Sequence, residues 1–200
     1  AGEAFAQLPI TSDYISAKMF LESISPSLIA TQGTDIRGAI DLAMKSFTPN
    51  EGVGRAIVLI TDGENHEGGA VEAAKAAAEK GVRVFVLGVG SPDGSPIPVE
   101  GTNEFRRDKD GNVVVTRLNE EMCREIAQAG NGMYVRVDNT NNAEKALMDY
   151  LSSVEKSLGE VDNISLKIII ADNSNISLDL SCFSDTLDIH YVFTGKNMGY

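Results

Sequence analysis

The stretch RAIVLITDGENHEGG, residues 55–69, changes character half-way along. Ala56-Ile57-Val58-Leu59-Ile60 is short, continuous and rich in β-branched side chains, the pattern of a strand buried on both faces. Thr61-Asp62-Gly63 then breaks the run and leaves a carboxylate at the strand's carboxyl end. In open α/β sheets that edge is where ligands bind, although a lone Asp there serves equally well as a turn or helix cap. The loop Glu64-Asn65-His66-Glu67-Gly68-Gly69 is polar and leads into a helix that begins near Ala70.

Downstream, the same alternation repeats. Residues 70–80, AVEAAKAAAEK, form an Ala-rich helix closed by Gly81, and residues 82–89, VRVFVLGV, form another buried strand. Two strands joined through a helix make a parallel crossover. A helix over 119–129, with Leu118, Met122, Ile126 and Ala129 turned inward, precedes a third parallel strand at 133–137. The strands near 56–61, 82–89 and 133–137 are therefore expected side by side in that order. Residues 97–117 interrupt the rhythm with two short extended runs around Asp110-Gly111, a hairpin signal. This insertion sits at the same sheet edge as Asp62, with Arg106, Arg107 and Lys109 as a solvated rim.

Upstream, residues 3–10 read as a short strand that Pro9 consigns to the sheet edge. Tyr14, Ile15, Ala17, Phe20, Leu21 and Ile24 recur at helical spacing before Pro26. The loop Ala30–Asp35 opens a second helix carrying Ile36, Ile40, Ala43, Met44 and Phe47 on one face, with Thr34 or Asp35 as its N-cap. A last helix spans about 142–156. The expected architecture is α/β: a doubly wound, mostly parallel sheet with helices on both faces, in three layers.

With 42% apolar and 23% charged residues, the chain can bury a full core. A net charge of −12 argues against nucleic acid, which needs clustered Lys and Arg, and fits a cation binder. Cys123 and Cys182 lack metal-type spacing and read as buried small apolar residues. No apolar run approaches the ~20 residues of a membrane-spanning helix. The chain opens at Ala1-Gly2-Glu3 without a methionine and is read as a fragment whose targeting signals lie outside it.

Gly33-Thr34 opening a helix, Thr61-Asp62-Gly63 ending a central strand, and the strand–helix alternation together resemble the von Willebrand factor A domain. That family is a doubly wound sheet with a metal-ion-dependent adhesion site at its top edge. The resemblance implies a metal held by three loops, one bearing Asp-x-Ser-x-Ser, one a Thr and one an Asp. By motif Thr34 matches the second loop and Asp62 the third. The implied cation is Mg²⁺, or Mn²⁺ or Ca²⁺, since hard cations take oxygen ligands and Mg²⁺ keeps several waters. The implied partner is a protein that offers a carboxylate to the metal.

A narrower resemblance covers residues 1–157. AGEAFAQLPITSDY, GTDIRGAIDLAMKSF, ITDGENHEGGAVEAAKAAAEKGV, GSPIPVEGTNEFRRDKDGNVVVTRLNEEM and GNGMYVRV are similar to the bacterial aerotolerance (Bat-type) family of membrane-anchored A-domain proteins. It implies a non-enzymatic assembly module at the cell envelope, on the periplasmic side of the inner membrane, linked to oxygen tolerance or stress. Glu64, His66, Arg106 and Arg107 would rim the partner surface. His66 invites a metal role, but no second His or Cys stands nearby in sequence.

The chain departs from the family at its start, where the Asp-x-Ser-x-Ser strand and its helix are missing. The tail, residues 158–200, lies outside the resemblance and carries an apolar run, Leu166–Ala171, followed by Asp172-Asn173-Ser174. Ile189–Gly195 resembles the strand expected just before Ala1. Two readings stand. Either the tail replaces the absent strands in permuted order, with 166–171 parallel to 56–61 and Asp172 and Ser174 acting as metal ligands, or it is unrelated. Ile176 stands where the motif has Ser, against the first reading. The rival to a binding module is a Mg²⁺-dependent phosphoacceptor or phosphotransfer enzyme using Asp62. That chemistry needs further carboxylates and a Lys or Arg at neighbouring strand ends, whereas the 82–89 strand ends in Gly88-Val89-Gly90-Ser91.

Overall fold

A computed structural model of the chain describes residues 4–8, 15, 16, 19, 34–47, 53–65, 68–99, 102–137, 149, 163–171 and 187–194. The elements in order are β1 (Ala4–Leu8), α1 (Ile36–Ser46), β2 (Val53–Thr61), α2 (Ala70–Glu79), β3 (Val82–Val89), β4 (Ser95–Pro96), β5 (Val115–Thr116), α3 (Glu120–Ala129), β6 (Asn131–Val137), β7 (Asn163–Ala171) and β8 (Leu187–Thr194). Six strands form one sheet in the order β1-β8-β7-β2-β3-β6, and β4 pairs with β5 apart from it. Within the large sheet β1 runs antiparallel to β8, and every other pairing is parallel.

The expected neighbours β2, β3 and β6 stand in that order, with Arg55 opposite Val82 and Thr61 opposite Gly88. β1 lies at the sheet edge. The tail supplies interior strands: β7 runs parallel to β2 with Ala56 opposite Leu166 and Thr61 opposite Ala171, and β8 fills the space between β7 and β1.

β2 and β3 are buried on both faces, as their uninterrupted apolar sequences require. One face, with Ile57 and Leu59 of β2 and Val82, Val84 and Val86 of β3, packs against α1, α2 and α3. α1 contributes Ile36, Ala39, Ile40 and Ala43, one stripe at helical spacing, and α2 contributes Ala70, Ala73, Ala74 and Ala77. The other face, with Val58, Phe85 and Leu87, is buried as fully.

α2 ends as its sequence indicates. Gly81 takes a left-handed φ of +74°, its N–H bonds the Ala78 carbonyl, and the Arg55 guanidinium donates to Lys80 O at 2.8 Å. Leu118 and Ile126 lie in the core as expected, and Met122 and Ala129 are partly buried and packed against it; the structure adds Cys123 and Ala127 to the buried face of α3. Ile15, one of the residues that recur at helical spacing, is 77% exposed. The helices expected over 12–25 and 142–156, apart from residues 15, 16, 19 and 149, lie outside the described residues, as do His66, Asp172, Ser174 and Cys182.

Candidate metal centre

Since β2, β3, β6 and β7 are parallel, their carboxyl ends share one edge. Asp62 stands there, directly after β2, and is only 5% exposed. A buried carboxylate costs several kcal/mol unless it is hydrogen-bonded, and this one is held from several sides. Its Oδ1 accepts the Glu64 N–H at 3.0 Å, closing an Asx turn, while Thr61 Oγ1 accepts the Gly63 N–H at 3.0 Å. The main-chain oxygen of Asp62 accepts the Asn119 N–H at 2.8 Å. Gly63 has a φ of +78°, and a Cβ on it would stand 2.5 Å from the Asn119 carbonyl oxygen. Only glycine lets the Asp62 turn and the first turn of α3 come this close.

Oδ2 of Asp62 faces Thr116, whose hydroxyl reaches it at 3.3 Å and reaches Glu64 Oε1 at 3.5 Å. Thr116 belongs to β5, where it pairs with Ser95, so the inserted hairpin is in contact with the candidate site. The sequence offers little signal for Thr116. A two-residue strand has no periodicity, and its partner lies 54 positions away.

Thr34 directly precedes the N-cap of α1 and is 4% exposed. The cap itself is Asp35, whose carboxylate accepts the Gly38 N–H at 2.8 Å. The Thr34 hydroxyl is therefore not committed to capping. The Arg37 side chain packs over Gly69, with its Cδ 2.9 Å from where a Cβ would be, so the first turn of α1 meets the start of α2. Of the residues expected at the rim, Glu64 joins the Asp62 cluster through Thr116. Arg107 instead donates to Gly111 O at 2.7 Å, bracing its own hairpin, and Arg106 pairs through its backbone with Ile97 and Val114.

Beyond Asn119, Tyr134 of β6 donates its phenol to Glu120 Oε1 at 2.9 Å, and Arg124 pairs with Glu120 Oε2 at 3.1 Å. Burial, then the bond to Glu120 and its charge, push the Tyr134 phenol above the usual tyrosine range.

Asp62 and Thr34 are both buried oxygen-bearing side chains, and Asn65 Oδ1, three residues beyond Asp62, is a buried acceptor without a hydrogen-bond partner among the described residues; oxygen groups are the kind of donor a hard cation takes. No three His, Cys, Asp or Glu side chains cluster among the described residues.

The family model for the von Willebrand factor type A domain matches residues 1–149. The chain belongs to this family. Among solved structures, this A domain is similar to the conserved hypothetical protein BatB from Bacteroides thetaiotaomicron, at 74% identity and a TM-score of 0.70, over 78% of this chain and 76% of that one. It is also similar to an aerotolerance-related membrane protein from Bacteroides fragilis NCTC 9343 with multiple mutations to serines, at 70% identity and a TM-score of 0.68, over 76% of each chain. No curated protein matches. Domains of this family often bind a divalent metal. Among the described residues, no helix of this A domain is long and apolar enough to cross a membrane.

Proposed function

We propose that this A domain is a non-catalytic, cation-dependent protein-binding module that serves an assembly at the bacterial cell envelope. The observation that carries the reading is Asp62: a carboxylate 5% exposed, at the carboxyl edge of a parallel sheet, with both oxygens oriented by neighbours. Thr34 and Asp62 would hold Mg²⁺, or Mn²⁺ or Ca²⁺, together with Asp172 and Ser174 from the segment that follows β7. The cation supplies a position open to a carboxylate of the partner protein. Asp62 stays oriented through the Glu64 N–H, and the Asn119 N–H holds its backbone in place. Glu64, with His66, Arg106 and Arg107, would border the partner. The envelope location and the link to oxygen tolerance rest on the similar Bacteroides protein described as an aerotolerance-related membrane protein. The remainder of such a protein would hold this domain on the periplasmic side.

Calorimetric titration of the chain with MgCl₂ tests this. One saturable site that disappears in Asp62→Ala and weakens in Thr34→Ala is the expected result. Binding that survives Asp62→Ala, or no binding of Mg²⁺, Mn²⁺ or Ca²⁺, would overturn the reading.

A further inference from the structure

Between β3 and α3 the chain folds three short extended segments against one another. β4 and β5 pair with Ser95 opposite Thr116 and Pro96 opposite Val115, while the segment between them bridges to both, Phe105 to Pro98 and Arg107 to Val113. The main-chain bonds close into a ring. The Ile97 N–H donates to Val114 O at 3.2 Å, the Val114 N–H to Arg106 O at 2.8 Å, and the Arg106 N–H to Ile97 O at 2.8 Å. Successive side chains of an extended segment point to opposite sides, so the ring sorts the insertion into two faces. Ile97, Arg106 and Val114 take the inner face and are buried or half-buried. The facing pairs Pro96–Val115, Pro98–Phe105 and Arg107–Val113 take the outer one, and all six residues are exposed.

Each of the six adjoins the next, either as a facing pair or as two residues along one segment, so they make one continuous patch. Five are apolar, with Phe105 48% and Val115 47% exposed, and none is acidic. Isolated apolar residues at a surface are ordinary, whereas adjoining ones mark an interaction site. Arg117 extends the patch: a Cβ on Gly94 would stand 2.7 Å from Val115 Cγ1 and 3.0 Å from Arg117 Cγ, so those two side chains lie together. Neither Arg107 nor Arg117 has an ion-pair partner among the described residues, although the chain holds 29 acidic residues against 17 basic ones. The patch is therefore apolar and cationic on a chain of net charge −12.

We infer that this outer face is a docking surface for a protein segment whose apolar side chains are flanked by Asp or Glu. Phe105, Val113 and Val115 supply the apolar contact, and Arg107 and Arg117 receive the carboxylates, as aromatic and Arg side chains do at protein interfaces. The ladder is closed at its centre, so the segment is held by side chains rather than by strand addition. A second copy docked through the same face would set its two arginines against these two. A densely anionic membrane repels a chain of this charge, which a short segment with few carboxylates does not. Thr116 joins the ladder to the Asp62 cluster, so one partner can span both. That the segment belongs to the partner that meets the cation rests on the proposed function above; the affinity of the face for such a segment does not.

The probe is a phage-displayed library of random linear peptides, selected on the whole chain in MgCl₂ and separately in EDTA, with the enriched peptides synthesised and titrated by fluorescence anisotropy. Winners should carry aromatic or aliphatic residues beside Asp or Glu, bind in EDTA, and weaken as NaCl rises. Phe105→Ser should weaken them by about tenfold or more, the loss of an interface anchor. Arg117→Glu should weaken them by about fivefold, and selection repeated on that variant should enrich basic peptides instead. Should Phe105→Ser disturb the ladder by circular dichroism, Arg117→Glu decides alone. Peptides indifferent to both substitutions, peptides without acidic residues, or a library that yields none would overturn the inference. A dimer in sedimentation velocity that Phe105→Ser dissolves would give the face to a second copy and overturn it too, as would binding to phosphatidylserine–phosphatidylcholine vesicles that the same change abolishes. If calorimetry shows Mg²⁺ bound at Asp62 while the peptides ignore the face, only the docking surface falls. If no cation binds while the peptides still require Phe105 and Arg117, only the cation reading falls.

Discussion

Replacing Gly63 with Ala should damage stability and the candidate site together, by an amount the geometry sets. The left-handed φ of +78° costs a residue with a Cβ about 1–2 kcal/mol by itself. The new methyl would also meet Asn119 O at 2.5 Å and Cys123 Sγ at 2.9 Å, and the first of these is backbone that cannot swing aside. To make room, the start of α3 must move, straining the cap in which Asn119 Oδ1 accepts the Met122 N–H; a cap is worth about 0.5–2 kcal/mol. The total is about 1.5–4 kcal/mol, or roughly 3–16 °C in melting temperature for a chain of this size. Gly68 is the control, since its φ is +70° but no atom of the described residues lies within 4 Å of its virtual Cβ. Gly68→Ala should therefore cost the backbone part alone, about 1–2 kcal/mol. Urea unfolding followed by circular dichroism measures both. Equal destabilisation of the two variants, or a Gly63→Ala loss below about 0.5 kcal/mol, would refute the close-approach argument.

Tyr134→Phe removes the bond to Glu120 and should cost about 1–2 kcal/mol in the same assay. Because the folded Tyr134 pKa is raised, its contribution is complete below the ordinary tyrosine value and is lost as pH climbs beyond it; ultraviolet titration should show a tyrosine ionising above the usual range that is missing from Tyr134→Phe. Asp108 shifts in the opposite direction: the Asn112 N–H, with smaller help from Asp110 and Gly111, lowers its pKa. Its contribution to the hairpin is present above the usual carboxylate range and lost as pH falls through the lowered value. The Asp110 and Asn112 amide shifts, whose N–H groups bond Asp108 Oδ1, should therefore move in acid, and Asp108→Asn should reduce that movement. Ending the chain at Lys156 removes β7 and β8 and strips β2 of a neighbour along its whole length, so the product should aggregate; a monomer with an unchanged melting temperature by light scattering and calorimetry would contradict the sheet order.

The sheet's interior was legible because its strands are apolar on both faces, a pattern that neither an amphipathic helix nor a half-exposed strand produces. Asp62 was legible for the same reason, as the first polar side chain after such a run and its Thr. Choosing between Thr34 and Asp35 as the cap was beyond the sequence, because both residue types cap well and only the bond to Gly38 decides. On α3 the larger residues Leu118, Met122 and Ile126 marked the core-facing side, whereas Cys123 and Ala127, being small, gave little hydrophobic signal of their own. Thr116 was invisible, since its role arises from a contact between segments with no local relation in sequence.

The position of β7 also bears on how the chain is made. β2 is complete at Thr61, yet its partner strand ends at Ala171, on the order of 100 residues later. At synthesis rates of about 5–20 residues per second, β2 waits roughly 5–20 s with one apolar, hydrogen-bonding flank open. β3 closes the other flank within the first seconds, so the growing chain passes through a stage with half a sheet assembled and its future centre exposed as an edge. Until Ala171 has emerged, that open edge is a template for strand addition by another chain.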